Sequence, residues 1–270
     1  MAHKAGFEII PLQCNITDAL AVEKEVLAAQ PNLVLHCAGI SFVAHSDEKE
    51  FYNVHALGTT NLLNALVKLP HTPDKVILAS SATVYGNCTI SPVPELHELK
   101  PVDHYGMSKV AMEELAAHFY DRLPVTIVRP FNYTGSGQKG RFLIPKLIKH
   151  FSNKEPIIEL GNLDVEREFN DVQMICEAYL NLLQFGEPGE IYNVCSGKYH
   201  SLQDVINILK EITDHSIEVK VNPAFVRKNE VHRMCGDPKK LIDILHKNGA
   251  TLNPVPLRDT LANMLSEFSE

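Results

Sequence analysis

The sequence predicts an α/β protein built on a doubly wound parallel sheet, with a smaller α/β domain after it. Three observations carry this. Short apolar, β-branched runs alternate with amphipathic stretches through the first half of the chain. The runs are nearly free of charge, as strands buried on both faces are. Beyond Pro130 the alternation loosens into shorter strands and separate helices.

The elements follow in order. "FEIIPLQC" (7–14) reads as a strand and "ALAVEKEVLAAQ" (19–30) as a helix. "NLVLHCAG" (32–39), "KVILASS" (75–81) and "VTIVRP" (125–130) read as buried strands, with helical segments at 48–68 and 104–121 between them. In the second helix, Met107, Ala111, Leu115 and Phe119 recur every four residues and predict its buried stripe. Past Pro130, helices are expected at 141–152, 171–185, 201–213 and 256–268, and strands near 157–160, 190–194 and 217–221. Ser201-x-x-Asp204 reads as a helix-start box. Internal repeats and low-complexity segments are absent.

Composition narrows the function. The chain has 270 residues, 45% hydrophobic and 21% charged, ordinary values for a globular protein. A formal charge of −8 argues against a surface made to coat nucleic acid or anionic membrane. No apolar run approaches membrane-spanning length, and "MAHKAG" lacks a signal-peptide core, so a cytoplasmic location is expected. The 6 cysteines include no C-x-x-C pair and read as reduced thiols. His232-x-x-Cys235 has no second pair to complete a tetrahedral site, so no metal is expected.

Parallel sheets bind ligands at the carboxyl ends of their strands. Three such ends carry polar groups: "HCAG" (36–39), "SSATVYG" (80–86) and "RPFN" (129–132). Tyr105-x-x-x-Lys109 places a phenol and an amine on one helix face. An ammonium close to a phenol lowers its pKa from about 10 toward neutrality, which suits proton transfer to a carbonyl oxygen. Gly135-x-Gly137-x-x-Gly140 has the spacing of a dinucleotide-binding loop. It follows the "RPFN" strand end and leads into the second domain, so the spacing is read as accidental.

"HCAGISFVAHS", "SSATVYG", "YGMSK", "RPFNYTGSGQ", "GNLDVEREFNDV" and "GEIYNVCSG" occur in the order seen in extended short-chain dehydrogenase/reductases that act on nucleotide sugars. The later segments most resemble GDP-4-keto-6-deoxy-mannose reductases and the related GDP-mannose dehydratases. The resemblance implies a Rossmann-type domain over 1–134 and 164–194, lacking its first strands, and a nucleotide-sugar domain over 135–163 and 195–270. It implies a catalytic triad of Ser81, Tyr105 and Lys109. It places NAD or NADP against Asn15, Ile16, Ala38, Gly39, Tyr105 and Lys109, and the nucleotide sugar against Thr83, Asn132, Arg167, Arg227 and Glu230. A homodimer through helices 48–68 and 104–121 is implied too, with Phe51, Leu62, Leu63, Leu66 and Met112 available to cover a partner.

The chain departs from the family pattern in places. Gly6 is the sole glycine before Gly39, so the glycine-rich strand–turn–helix that holds the pyrophosphate in the family has no counterpart in these residues. Asn15 stands for an Asp, His55 for an Asn and Ser136 for a Pro. Thr83 stands where related dehydratases carry a carboxylate and related epimerase-reductases a Cys. Reduction of a nucleotide-linked 4-keto sugar is therefore expected, with 4-epimerisation or a non-catalytic binding role as alternatives. Residues 1–270 alone are expected to show no turnover; saturable micromolar binding in a titration of NADPH or NADH fluorescence would contradict this.

Overall fold

The structure, a computed structural model, describes residues 1–42, 47–226 and 231–268. In chain order its main elements are α1 (Ala19–Ala29), β1 (Leu33–His36), α2 (Glu48–Tyr52), α3 (Gly58–Val67), β2 (Lys75–Ala79), α4 (His104–Ala117), β3 (Val125–Pro130) and β4 (Tyr133–Thr134). Then come α5 (Leu143–Ser152), β5 (Ile157–Leu160), β6 (Glu166–Glu168), β7 (Asn170–Asp171), α6 (Val172–Phe185), β8 (Ile191–Val194) and β9 (Tyr199–Ser201). The chain continues through α7 (Leu202–Thr213), β10 (Glu218–Val221), β11 (Arg233–Met234), α8 (Lys239–Lys247) and α9 (Leu257–Phe268).

The apolar runs pair in parallel, in the order β1-β2-β3-β8. Successive side chains point to opposite faces, and the two faces meet different helices. Val76, Leu78, Val125 and Ile127 join a core with α1, α3 and α4. Ile77, Val128, Tyr192 and Val194 join a second core with α6 and α8. Each such side chain, fully buried, contributes on the order of 1.5–3 kcal/mol. This doubly wound arrangement leaves the carboxyl ends of the strands free to carry a site. A third core lies apart, where α5, α7 and α9 surround the parallel pair β5–β10. The expected capping box is present: Asp204 N–H donates to Ser201 Oγ at 3.1 Å and Ser201 N–H to Asp204 Oδ2 at 2.9 Å.

Several expectations need correction. Residues 7–14 form no strand. A strand needs a neighbour to take its backbone hydrogen bonds, and this segment pairs with none. Ile9, Ile10 and Leu12 are exposed, and Gln13 N–H donates instead to Glu25 Oε2 at 2.8 Å. The 48–68 helix is interrupted by a π turn at Asn53–Leu57. The stripe expected on α4 is only partly buried: Phe119 joins the core, Ala111 and Leu115 are half-buried and Met107 is 42% exposed, while Ser108, Lys109, Met112, Glu113 and Ala116 form the buried face. That face mixes Met112 and Ala116, which join the core, with Lys109 and Glu113, which meet the Ala79 carbonyl and the Ser80 hydroxyl at the end of β2. Phe51, Leu62, Leu63, Leu66 and Met112 are all at most 6% exposed, so none is available to a partner. Helix α8 was not anticipated, and it packs Leu241, Ile244 and Leu245 on the main sheet.

Gly135 has a packing reason. A Cβ there would lie 2.4 Å from Val172 Cγ1, at the start of α6.

Candidate active site

β2 ends at Ala79 and the chain turns at Ser81 into a single 3₁₀ turn, Ala82–Tyr85. Ser81 caps that turn, accepting from Thr83 N–H at 3.2 Å and from the Thr83 hydroxyl at 3.0 Å. Helix α4 begins opposite, capped by Asp103, whose Oδ1 accepts from Gly106 N–H at 2.7 Å. Gly106 sets the approach of the two elements. A Cβ there would stand 2.9 Å from both the Thr83 carbonyl oxygen and Pro101 Cβ. The first turn of α4 thereby comes close enough for Tyr105 to hydrogen-bond Ser81. The glycine in "HYGMSK" was the signal for this contact, and sequence reading did not use it.

Tyr105 keeps part of its ring accessible, while Phe51 and His55 meet it edge to face, with centroids 5.7 and 5.4 Å away. Burial pushes its phenol up to about 12; the Ser81 hydrogen bond opposes this, and the charges of Tyr133 and Asp103 add to it. Lys109 is not among the influences on Tyr105. The lowered phenol pKa expected from the Tyr–Lys spacing is therefore not what this geometry gives. Lys109 Nζ instead donates to the Ala79 carbonyl at 2.8 Å. Burial brings its amine down to about 8, against the charges of Cys37 and Glu113.

β1 delivers Ala38 and Gly39 to the same place. A Cβ on Gly39 would lie 3.1 Å from His55 Nε2 and 3.7 Å from Lys109 Nζ, so the turn after β1 packs directly on the Lys109 amine. His55 was noted only as a departure from pattern; it is fully buried here, between that turn and α4. A neighbouring imidazole, His36, is also buried and bonds Thr59 Oγ1 at 2.8 Å. Burial first, and the Lys109 charge second, hold His36 near 4 and His55 near 3, so both rings are neutral at ordinary pH.

The remaining expected residues are spread out. Ile16 is core: its side chain packs with α1 and α3, and its carbonyl accepts from Asn61 Nδ2 at 3.1 Å. Asn15 is exposed and its Oδ1 accepts from Thr17 N–H at 3.1 Å. Asn132 is exposed just after β3, its carbonyl taken by Asn170 N–H at 3.0 Å. Arg167, on β6, is half-buried and donates to the carbonyls of Glu166 at 2.9 Å, His232 at 3.0 Å and Val231. Arg227 and Glu230 lie outside the described residues.

Lys109 has three N–H donors and Ala79 takes one of them. With Gly39 beside it and the Tyr105 hydroxyl on Ser81, the cluster fits the ribose end of a nicotinamide dinucleotide.

Known proteins match this reading. The family model described as GDP-mannose 4,6 dehydratase matches residues 3–246. The chain is 36% identical to a GDP-6-deoxy-D-talose 4-dehydrogenase of Aggregatibacter actinomycetemcomitans, over 91% of this chain and 85% of that protein. It is 35% identical to a GDP-6-deoxy-D-mannose reductase of Pseudomonas aeruginosa, over 88% of this chain and 80% of that one. The structure of RMD from Pseudomonas aeruginosa complexed with NADPH superposes with a TM-score of 0.88 at 29% identity, covering 99% of this chain and 93% of that one. The ordered strand-end motifs and the match over nearly the whole chain lead to one conclusion: this chain belongs to the GDP-mannose 4,6-dehydratase family of extended short-chain dehydrogenase/reductases.

Proposed function

We propose that the protein reduces the 4-keto group of a GDP-linked 6-deoxy sugar with NADH or NADPH. The observation that carries this choice within the family is Thr83. Its hydroxyl is bonded to Ser81 at 3.0 Å and cannot ionise, so removal of water or inversion beside the ketone has no proton shuttle at that position. The relatives named above, a GDP-6-deoxy-D-talose 4-dehydrogenase and a GDP-6-deoxy-D-mannose reductase, support redox chemistry on a GDP-linked 6-deoxy sugar. The dinucleotide supplies the hydride when bound. Tyr105, protonated at neutral pH, presents its O–H to the sugar carbonyl oxygen. With the sugar bound, the Ser81 O–H turns from the Tyr105 oxygen to the same carbonyl oxygen, since a hydroxyl has one proton to give. Lys109 and Gly39 receive the ribose, and Ala38 lines the same strand end.

The test uses a form that includes the relatives' glycine-rich loop, with NADPH or NADH and GDP-4-keto-6-deoxy-mannose. Stoichiometric cofactor oxidation with a new 4-hydroxyl is expected. Interconversion of 4-epimers without net cofactor oxidation overturns the reading in favour of an epimerase.

The nucleotide sugar is held chiefly by the second domain, over 135–163 and 195–270, which gives Arg227 toward the diphosphate and Glu230 toward the ribose; Asn132, as a sugar contact, and Arg167, toward the diphosphate, come from the ranges of the first. Arg167 already clamps the carbonyls of Val231 and His232, which fixes the chain leading out of 227–230. Charge-assisted bonds of this kind contribute about 1.5–3 kcal/mol each. Arg167→Ala should accordingly raise the KM for the nucleotide sugar about 10- to 100-fold while the cofactor Kd moves less than about twofold. Equal losses in both would contradict the assignment.

The proposal includes a cytoplasmic homodimer. Among the described residues no helix is long and apolar enough to cross a membrane. With the five residues first considered for the interface buried, the large apolar side chains that stay exposed within 48–68 and 104–121 are Leu57, at 55%, and Met107, at 42%. Light scattering at micromolar concentration should give a dimer, and Leu57→Glu with Met107→Glu should give a monomer. A wild-type monomer disposes of it.

A further inference from the structure

His55 stands at the centre of a hydrogen-bond path between two elements of the site. It lies in the π turn Asn53–Leu57, inserted between α2 and α3, and it is fully buried. Such wide turns concentrate at functional places in helices. The ring accepts from the Ile40 backbone N–H through Nε2 at 3.0 Å, and its Nδ1 is 2.8 Å from Ser108 Oγ. Ser108 O–H in turn donates to the Tyr105 carbonyl at 2.7 Å.

The directions of these bonds follow from donor chemistry. A backbone N–H only donates, so Nε2 carries the lone pair and the ring proton is on Nδ1. Ser108 Oγ must then accept from Nδ1–H, and its own proton goes to the Tyr105 carbonyl. Every group in the path is used once, and none can be reversed without opposing two donors. One end of the path is the turn after β1, where Gly39 lies against His55 and Lys109. The other is the first turn of α4, which carries Tyr105, with Lys109 one turn further along the same helix. The ring also packs edge to face on Tyr105 at 5.4 Å and beside Phe51 at 5.8 Å.

We propose that His55 is a positioning residue: as the neutral Nδ1–H tautomer it ties the turn after β1 to the first turn of α4, and so fixes Tyr105 and Lys109 against the group that the turn holds. The inference rests on the reaction proposed above for what that group is, but the tie itself is a property of the chain. The buried Lys109 ammonium beside it supports a neutral ring, because a second positive charge there would be repelled.

Two measurements test the proposal separately. In long-range ¹H–¹⁵N spectra of the wild-type protein near neutral pH, His55 should show its proton on Nδ1 and an unprotonated Nε2. A proton on Nε2 overturns the proposal, whatever the reaction is. The second is a variant series in steady-state kinetics. His55→Phe keeps the ring and its contacts with Tyr105 but removes both nitrogens. It should lower kcat about 10- to 100-fold, the scale on which small misplacements act, while the KM for the nucleotide sugar moves less than about threefold. His55→Gln, which offers one acceptor and one donor, should recover most of the loss. Ser108→Ala, which breaks the path without touching the ring, should lower kcat in the same direction. Wild-type kcat in the Phe and Ala variants overturns the proposal, and so does a loss in the Gln variant equal to that of Phe. If His55→Phe does not fold, Ser108→Ala and the tautomer decide. Absence of cofactor oxidation in the unsubstituted protein, assayed in the longer form used to test the proposed reaction, counts against that reaction, and the tautomer then decides His55 alone.

Discussion

Tyr105→Phe should lower kcat about 10²- to 10⁴-fold, the range of a lost general acid, with the KM for the nucleotide sugar changed less than about threefold. The substitution deletes one oxygen. Phenylalanine keeps the edge-to-face contacts with Phe51 and His55, so the first turn of α4 stays in place. What disappears is the hydroxyl bonded to Ser81. Burial holds that hydroxyl near 12, so it is the protonated, donating form at any pH where the enzyme is assayed. That is the form a reduction requires, since the carbonyl oxygen must gain a proton as its carbon gains hydride. It also decides which group shapes the pH profile. Lys109, brought down to about 8 by burial, carries its charge below that pH and loses it above. A fall in kcat/KM between pH 7 and 9 would therefore report Lys109, and Lys109→Met should abolish it. Steady-state cofactor absorbance measures both effects. A Tyr105→Phe enzyme within about fivefold of wild type would remove Tyr105 from the chemistry.

The parts of this site that could be read from sequence are those written in short spacings. Tyr105 and Lys109 are one helical turn apart, and Ser81 follows a run too apolar to be anything but a buried strand. The strands at 75–79, 125–130 and 191–194 were legible for the same reason, as were the helices of the third core. The segment 7–14 was not, because alternation describes a strand's faces and says nothing of whether a neighbour exists to pair with it. The α4 stripe failed differently. Hydrophobic periodicity assumes an apolar partner, and α4 packs Ser108, Lys109 and Glu113 against polar groups at the strand ends. The π turn leaves no periodic mark at all. His55 therefore appeared as a substitution in a pattern, when its neighbours Ile40 and Ser108 are 15 and 53 residues away. Gly106 and Gly39 could have been read as close-approach positions, but only once the approaching elements were known.

The same long-range blindness hid Glu113, and replacing it should produce the larger of the expected stability losses. Glu113 and Arg129 are 6% and 3% exposed and form a two-point pair, Nε to Oε1 at 3.0 Å and Nη2 to Oε2 at 2.6 Å. Ser80 donates its hydroxyl to the same carboxylate. Arg129 Nη1 donates further to Tyr85 Oη and to the Glu95 carbonyl, each at 3.0 Å, and Tyr85 passes its own proton to Asn193 Oδ1 at 2.7 Å. Burial pulls the guanidinium pKa down, but the hydrogen bonds and charge of Glu113 outweigh it and hold it more firmly protonated than free arginine. Glu113→Ala therefore leaves a charge in the interior with no counter-ion, and breaking such a pair costs about 3–5 kcal/mol. The double variant Glu113→Leu, Arg129→Met removes both charges and should recover a large part of that loss, since apolar replacements of buried pairs are often neutral. Urea unfolding of Glu113→Leu, of Arg129→Met and of the double gives the coupling energy directly. A Glu113→Ala loss below about 1 kcal/mol, the value of an exposed pair, would sink the argument. The stability effect also reaches the chemistry. Ser80 adjoins Ser81, and Glu113 lies one helical turn beyond Lys109, so the pair fastens α4 to β3, and the Ser80 bond fastens it to the end of β2, beneath Ser81 and Lys109. Variants that keep their fold should thus lose kcat as well, and the double variant should recover stability more fully than rate, because Leu and Met restore the filling of the core without restoring the hydrogen bonds that set the spacing.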